Sequence, residues 1–168
     1  MYRFVIVLVA VVALPGTWAN SAGAPDVACK DLVPQHKVDP QSTQAPYSYV
    51  LPQKRTVTPG ESIQVTVRGN SKTDTIKGFL VQARLNGDTT PIGTFSTLPG
   101  QPTQNLNCGT ETNALTHKTI TTNVEEISFK YTVPTNAKKG EKFQFFSTVA
   151  IDGYHFWVRI PSDTFTVA

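Results

Sequence analysis

Apolar and polar residues alternate with a period of two over much of the chain. Residues 62–68 (SIQVTVR) set Ile63, Val65 and Val67 on one side and Gln64, Thr66 and Arg68 on the other. Residues 126–133 (EISFKYTV) repeat the pattern, with Ile127, Phe129, Tyr131 and Val133 against Ser128, Lys130 and Thr132. Strict alternation of this kind marks a strand with one buried face. Residues 76–84 (IKGFLVQAR) read as another strand, with Gly78 a candidate bulge or close-contact position. Shorter strands are expected at 47–51, held to a sheet edge by Pro46 and Pro52, and at 91–95, 114–119 and 163–167. Thr58-Pro59-Gly60, Asn86-Gly87 and the segment 134–142 with Gly140 supply turns between them.

The densest apolar stretch is 142–160, KFQFFSTVAIDGYHFWVRI. Asp152-Gly153 divides it, and an Asp-Gly pair between strand-like runs predicts a two-residue type I′ hairpin. In that register Ile151 faces Tyr154, Val149 faces Phe156, Ser147 faces Val158 and Phe145 faces Ile160, which makes an apolar core face. The opposite face would carry Phe146, Thr148, Ala150, His155, Trp157 and Arg159. A slip of one residue would exchange the two faces.

Two segments break the alternation. Residues 20–44 are polar and aperiodic and read as an arm over the surface, held at Cys29. Residues 96–113 form the longest loop and contain Cys108. The N-terminus has a different character. Arg3 precedes an apolar run at 4–14, Pro15-Gly16 ends it, and Thr17-Trp18-Ala19 offers small residues for cleavage. As a helix that run would be roughly 16 Å long, about half a bilayer core. Residues 1–19 are therefore expected to be a secretory signal, with a cut after Ala24 as the second choice, and residues 20–168 one domain. No further apolar run suggests a membrane span. Eight or nine short strands with frequent turns predict an all-β, immunoglobulin-like antiparallel sandwich. The Cys–Trp–Cys order of true immunoglobulin domains is missing, because Trp157 follows both cysteines.

Composition agrees with that picture. Charged residues make up 16%, with 12 Pro and 11 Gly. The formal charge of +3 lacks the clustered basic face of a nucleic-acid binder. In an exported chain the two cysteines, Cys29 and Cys108, are expected to pair, two free thiols being the disfavoured alternative. The bridge would close a loop of about 80 residues, worth up to roughly 4–5 kcal/mol on chain entropy. No Asn-x-Ser/Thr sequon is present.

Candidate chemistry is sparse. His36, His117 and His155 are scattered, and no nucleophile elbow, HExxH, Walker or GxGxxG pattern occurs. No catalytic residue, metal or cofactor is expected. If the cysteines pair, His36 and His117 are brought toward one another, though a metal would need further ligands. Trp157, Phe146 and Arg159 are candidate contacts for carbohydrate or lipid, against the simpler reading that the arm or a neighbouring strand covers them. Lys138, Lys139 and Lys142 are candidate contacts for anionic polymers, against ordinary solvation.

Several pieces together resemble one family. Cys29 with Pro34 and His36, Pro46-Tyr47, IQVTVRG after Pro59-Gly60, IKGFLVQAR, Cys108 followed by ALTHK, and the terminal FFSTVAIDGYHFWVRIPS are similar to the reeler domain, the module at the N-terminus of reelin and spondins. A signal peptide with a single such domain resembles the insect defence proteins, including the noduler-like ones. The resemblance implies an immunoglobulin-like sandwich with a Cys29–Cys108 disulfide. It also implies secretion into haemolymph and binding to microbial lipopolysaccharide, peptidoglycan or glucan, or to haemocytes. The protein is expected to be a monomer. The alternative is an adhesion module that binds heparan sulfate in the extracellular matrix. No ligand-binding residue is carried over from the family.

Overall fold

The computed structural model describes residues 22–168; the leader expected at 1–19 lies outside them. Residues 22–46 contain no strand and only a short 3-10 turn at Asp26–Cys29. The strands that follow are β1 (Tyr47–Val50), β2 (Thr56–Val57), β3 (Ser62–Gly69), β4 (Gly78–Leu85), β5 (Pro91–Ile92) and β6 (Thr94–Thr97). They continue as β7 (Thr103–Leu106), β8 (Ala114–His117), β9 (Glu126–Thr132), β10 (Lys142–Ala150), β11 (Phe156–Pro161) and β12 (Phe165–Val167). One sheet runs β1-β3-β9-β6; the other runs β2-β12-β10-β4-β8-β7, with β11 also on β10 and β5 also on β4. All pairs are antiparallel except β12 with β2.

The alternating strands behave as their patterns require. Ile63, Val65 and Val67 of β3, and Ile127, Phe129 and Tyr131 of β9, face Val81 and Ala83 of β4 and Phe143, Phe145 and Val149 of β10 in one core. Phe145 sits at the centre of an aromatic cluster. Its ring meets Tyr131 edge-on at 4.9 Å and Phe165 at 5.8 Å, the T-shaped geometry that aromatic quadrupoles favour.

Three sequence expectations are corrected. Residues 91–95 are not one strand. The chain leaves the larger sheet after β5 and enters the smaller one at β6, crossing at Gly93, whose φ is 70°. Within the expected 96–113 loop, residues 103–106 form β7, an edge strand on β8. The third correction is the 142–160 hairpin. Its loop spans five residues, because Ala150 pairs with Phe156 and the Ile151 amide bonds the His155 carbonyl at 2.9 Å. The Asp152 carboxylate organises that loop by accepting from the amides of Tyr154 and His155, each at 2.7 Å. An Asx-type turn thus wins over the type I′ turn.

The longer loop shifts the register by one, so Val149 faces Trp157. A bulge between Ser147 and Val149, with Arg159 at φ 55°, then restores the phase and sets Ile160 opposite Ser147. Phe156 is buried, but on the outer side of the sheet against His36, and Trp157 turns toward Tyr47 at the margin of the core.

A disulfide-stapled arm closes a cavity on the outer sheet face

β4 is buried along both faces. Its inward residues belong to the core. Its outward residues Leu80, Gln82 and Arg84 are buried because residues 22–46 cross over them. The arm is tied at several points. Cys29 is bonded to Cys108, with Cα atoms 5.4 Å apart. The Arg84 guanidinium donates to the carbonyls of Cys29 (2.9 Å) and Lys30 (3.1 Å) and to the Gln82 side-chain oxygen (2.7 Å). Gln82 in turn donates to the Cys29 carbonyl at 3.0 Å. Burial lowers the pKa of Arg84, and the nearby Arg159 pushes the same way. The carbonyls answer that cost, since a buried cation is tolerated only when hydrogen-bonded.

Further along, Thr148 donates to the Leu32 carbonyl at 2.6 Å. The Ala24 amide donates to the Thr116 hydroxyl at 2.8 Å, and that hydroxyl donates onward to the Phe79 carbonyl. Ala28 and Leu32 bury themselves against Leu80 and Ala114, so the arm has a small apolar core of its own.

Between arm and sheet lies a cavity of about 230 Å³. Its apolar lining includes Ala28, Leu32, Leu80, Ile120 and Ala150. His36 from the arm and His117 from β8 both line it, so the pairing of the cysteines does bring these histidines to one site. His117 Nδ1 accepts from the Phe79 amide at 3.1 Å. Gly78 lies against it: a Cβ there would stand 3.3 Å from the His117 ring. His36 stacks edge-on with Phe156 at 5.0 Å, and its Nδ1 is buried without a hydrogen-bond partner. Burial depresses the His36 pKa; Asp152 opposes this and His117 reinforces it. Lys77 and Asp152 stand at the exposed rim. His155 pairs with Asp152 at 2.9 Å. Burial pushes the Asp152 pKa up, but that pairing and the two amides outweigh it and hold the value below the ordinary one. Among the described residues no cluster of three or more His, Cys, Asp or Glu is arranged to hold a metal.

The residues singled out in the sequence fall in separate places. Phe146 is half-buried beneath the arm beside the Ala28–Leu80 cluster. Trp157 packs on Tyr47 at 5.8 Å, and its indole N–H reaches the Thr43 hydroxyl at 3.2 Å. Arg159 donates to the Asp31 carbonyl at 2.8 Å. These three do not share one exposed face, because the five-residue loop sets Trp157 opposite Val149 on the core side, while Phe146 points to the arm. Lys138, Lys139 and Lys142 are exposed at the far end of β10, roughly 20 Å of strand away from Trp157. The cavity itself was not foreseen. Its one sequence signal was the expected approach of His36 and His117.

A two-sheet β-sandwich with a disulfide-tied arm over one face is an immunoglobulin-like module, and here it is a particular kind. The sequence model of the Reeler domain matches residues 27–168, and the chain belongs to that family. It is 38% identical over 145 residues to "Putative defense protein Hdd11" of Hyphantria cunea, covering 84% of this chain and 85% of that one. It is 32% identical over 166 residues to "Defense protein l(2)34Fc" of Drosophila melanogaster, covering 97% and 98%. Among solved structures it is similar to the human F-spondin reeler domain, with a TM-score of 0.63, 15% identity and coverage of 80% and 96%. That last likeness is one of fold. The family and its insect members mark a defence-related or extracellular module.

Proposed function

We propose that this is a secreted, non-enzymatic recognition protein of insect innate defence. It binds microbial surface components such as lipopolysaccharide, peptidoglycan or glucan, acts in the haemolymph, and promotes nodulation. The observation that carries the reading is the end-to-end match to proteins named for defence, 97% of this chain against 98% of the fly protein. The geometry supports a binder. Lys138, Lys139 and Lys142 crowd an exposed turn, and among the described residues none of them is ion-paired. Such a group attracts the phosphates and carboxylates of microbial envelopes.

The same lysines favour a second reading, contact with heparan sulfate by an adhesion module. Pull-down on bacteria and on beads carrying lipopolysaccharide, β-1,3-glucan or heparin separates the two. Retention on microbial ligands, lost when Lys138, Lys139 and Lys142 are all changed to Glu, is the expected result. Retention on heparin alone overturns the defence reading.

A further inference from the structure

We propose that the cavity between the arm and the outer sheet face is a binding site for a single short aliphatic chain carrying an anionic head group. The inference goes beyond recognition at the lysine turn and uses none of its residues.

The cavity is preformed. Arm and sheet are joined by the Cys29–Cys108 bridge and by Arg84, so it does not depend on a loop closing. Its floor is apolar and buried: Ala28, Leu32 and Leu80 offer a chain nothing to hydrogen-bond. An apolar cavity of 150 Å³ already takes benzene. The 230 Å³ here has room for roughly eight methylenes, counting each at about the 30 Å³ share of a liquid water.

The rim decides the head group. Three polar side chains bear on it. The Asp152 carboxylate is already engaged by the His155 ring at 2.9 Å and by the amides of Tyr154 and His155, so its oxygens are turned to its own loop. Lys77 donates to the Thr122 carbonyl at 2.9 Å and, among the described residues, has no carboxylate partner. Its ammonium, with donors to spare, is the open charge at the mouth. His36 Nδ1 is buried and makes no hydrogen bond. A buried polar nitrogen left unpaired is costly, and a ligand head at the rim could supply its partner. A carboxylate or phosphate on an alkyl chain satisfies floor and rim together; a neutral sugar matches the rim but not the floor. The chain can come from a free fatty acid or from the acyl part of a microbial lipid.

The test is a titration of the ¹⁵N-labelled secreted protein with octanoate, below its micelle concentration. Chemical-shift changes confined to Gly78, Phe79, Leu80, His117 and Ala150 are expected. Lys77→Glu should weaken binding about tenfold through loss of the charge-assisted contact, with an unchanged melting temperature. Octyltrimethylammonium should bind correspondingly weakly. Ala150→Phe should fill the cavity and abolish binding; if it fails to fold, Lys77→Glu and the cationic surfactant carry the test on folded protein. Absence of shifts at millimolar octanoate overturns the proposal. So do shifts away from the cavity, or equal binding of both surfactants. Lipid A and its fully deacylated form then identify the source. Displacement of octanoate by lipid A only supports a microbial acyl chain, and displacement by neither, with octanoate still bound, supports a free fatty acid. Charge reversal at Lys138, Lys139 and Lys142 leaves octanoate binding intact, so failure of either proposal is seen separately.

Discussion

The guanidinium of Arg84 donates to the main-chain carbonyl of Cys29 at 2.9 Å. The arm is thereby held twice at one residue, once by the Sγ bond to Cys108 and once by a buried cation rising from β4. Arg84 is 5% exposed, and Gln82 and the carbonyls of Cys29 and Lys30 take up its donors. The first prediction follows. Arg84→Leu removes the charge but strands the Lys30 carbonyl and the Gln82 oxygen, and should cost about 2–4 kcal/mol. Thermal melts would record that loss, and limited proteolysis at Lys30 and Lys37 should accelerate. An Arg84→Leu protein that melts normally and resists trypsin in the arm refutes the role.

The second prediction concerns acidity. His36 is held below the ordinary His value, chiefly by burial, with His117 adding to the effect and Asp152 opposing it. The unfolded chain therefore binds this proton more readily than the folded one. Stability is full above about pH 6.5, the ordinary His value, and falls as pH drops from there toward the lower folded value. Asp152, held low by its own partners, loses its contribution only below the ordinary Asp value of about 3.9. Melting temperatures at successive pH values should show a decline starting near 6.5, and His36→Phe should flatten it. An unchanged slope in the variant would place the effect elsewhere.

Gly93 gives the third. Its φ is 70°, and a Cβ there would stand 2.5 Å from the Tyr131 ring carbon that bears the hydroxyl. Gly93→Ala meets both an unfavourable backbone and a clash with a fully buried ring. It should destabilise by about 2 kcal/mol or more. Chemical denaturation measures this directly, and a neutral result would mean that the crossing from β5 to β6 has room the structure does not show.

The fourth tests Trp157. Its contacts with Tyr47 and Thr43 are those of a packing residue that joins the arm to the sandwich. Trp157→Ala should lower stability by about 1–3 kcal/mol, less than for a fully buried Trp, and leave retention on microbial beads unchanged. A variant that melts normally but loses retention would restore it as a contact residue.

The fifth concerns the N-terminus. The Ala24 amide donates to Thr116, and Gln104 donates to the Ala22 carbonyl. A cut after Ala19 keeps these bonds, whereas a cut after Ala24 removes them. Mass spectrometry of the secreted protein should find Asn20 as the first residue; Pro25 would show that the bonds are dispensable.

Much of the sandwich was legible. β3 and β9 alternate cleanly because each buries one face only, so the period of two survives in the sequence. β4 is legible as a strand but not for its partners. Gln82 and Arg84 read as solvent-facing until the arm is laid across them. The arm carries no periodicity, being ordered by side-chain bonds and one disulfide instead. The hairpin failed for a local reason. Asp152 can cap a wider loop with its own carboxylate, and the bulge near Arg159 then hides the change by restoring Ile160 to the core. The cavity draws its walls from IKGFL, ALTH, AIDG and the Pro34–His36 segment, all of which also carry the family resemblance. Their meeting point could not be read from their order.

By itself the sequence determined the fold class, the strands that bury one face and the family. Those properties depend on local alternation and residue type, which each segment carries alone. Only the tertiary structure decided which side of the sheet receives Phe156 and Trp157, what lies over Gln82 and Arg84, and that an apolar cavity remains beneath the arm. These depend on how distant segments are brought together, where a single residue of register exchanges the inside of a strand for its outside.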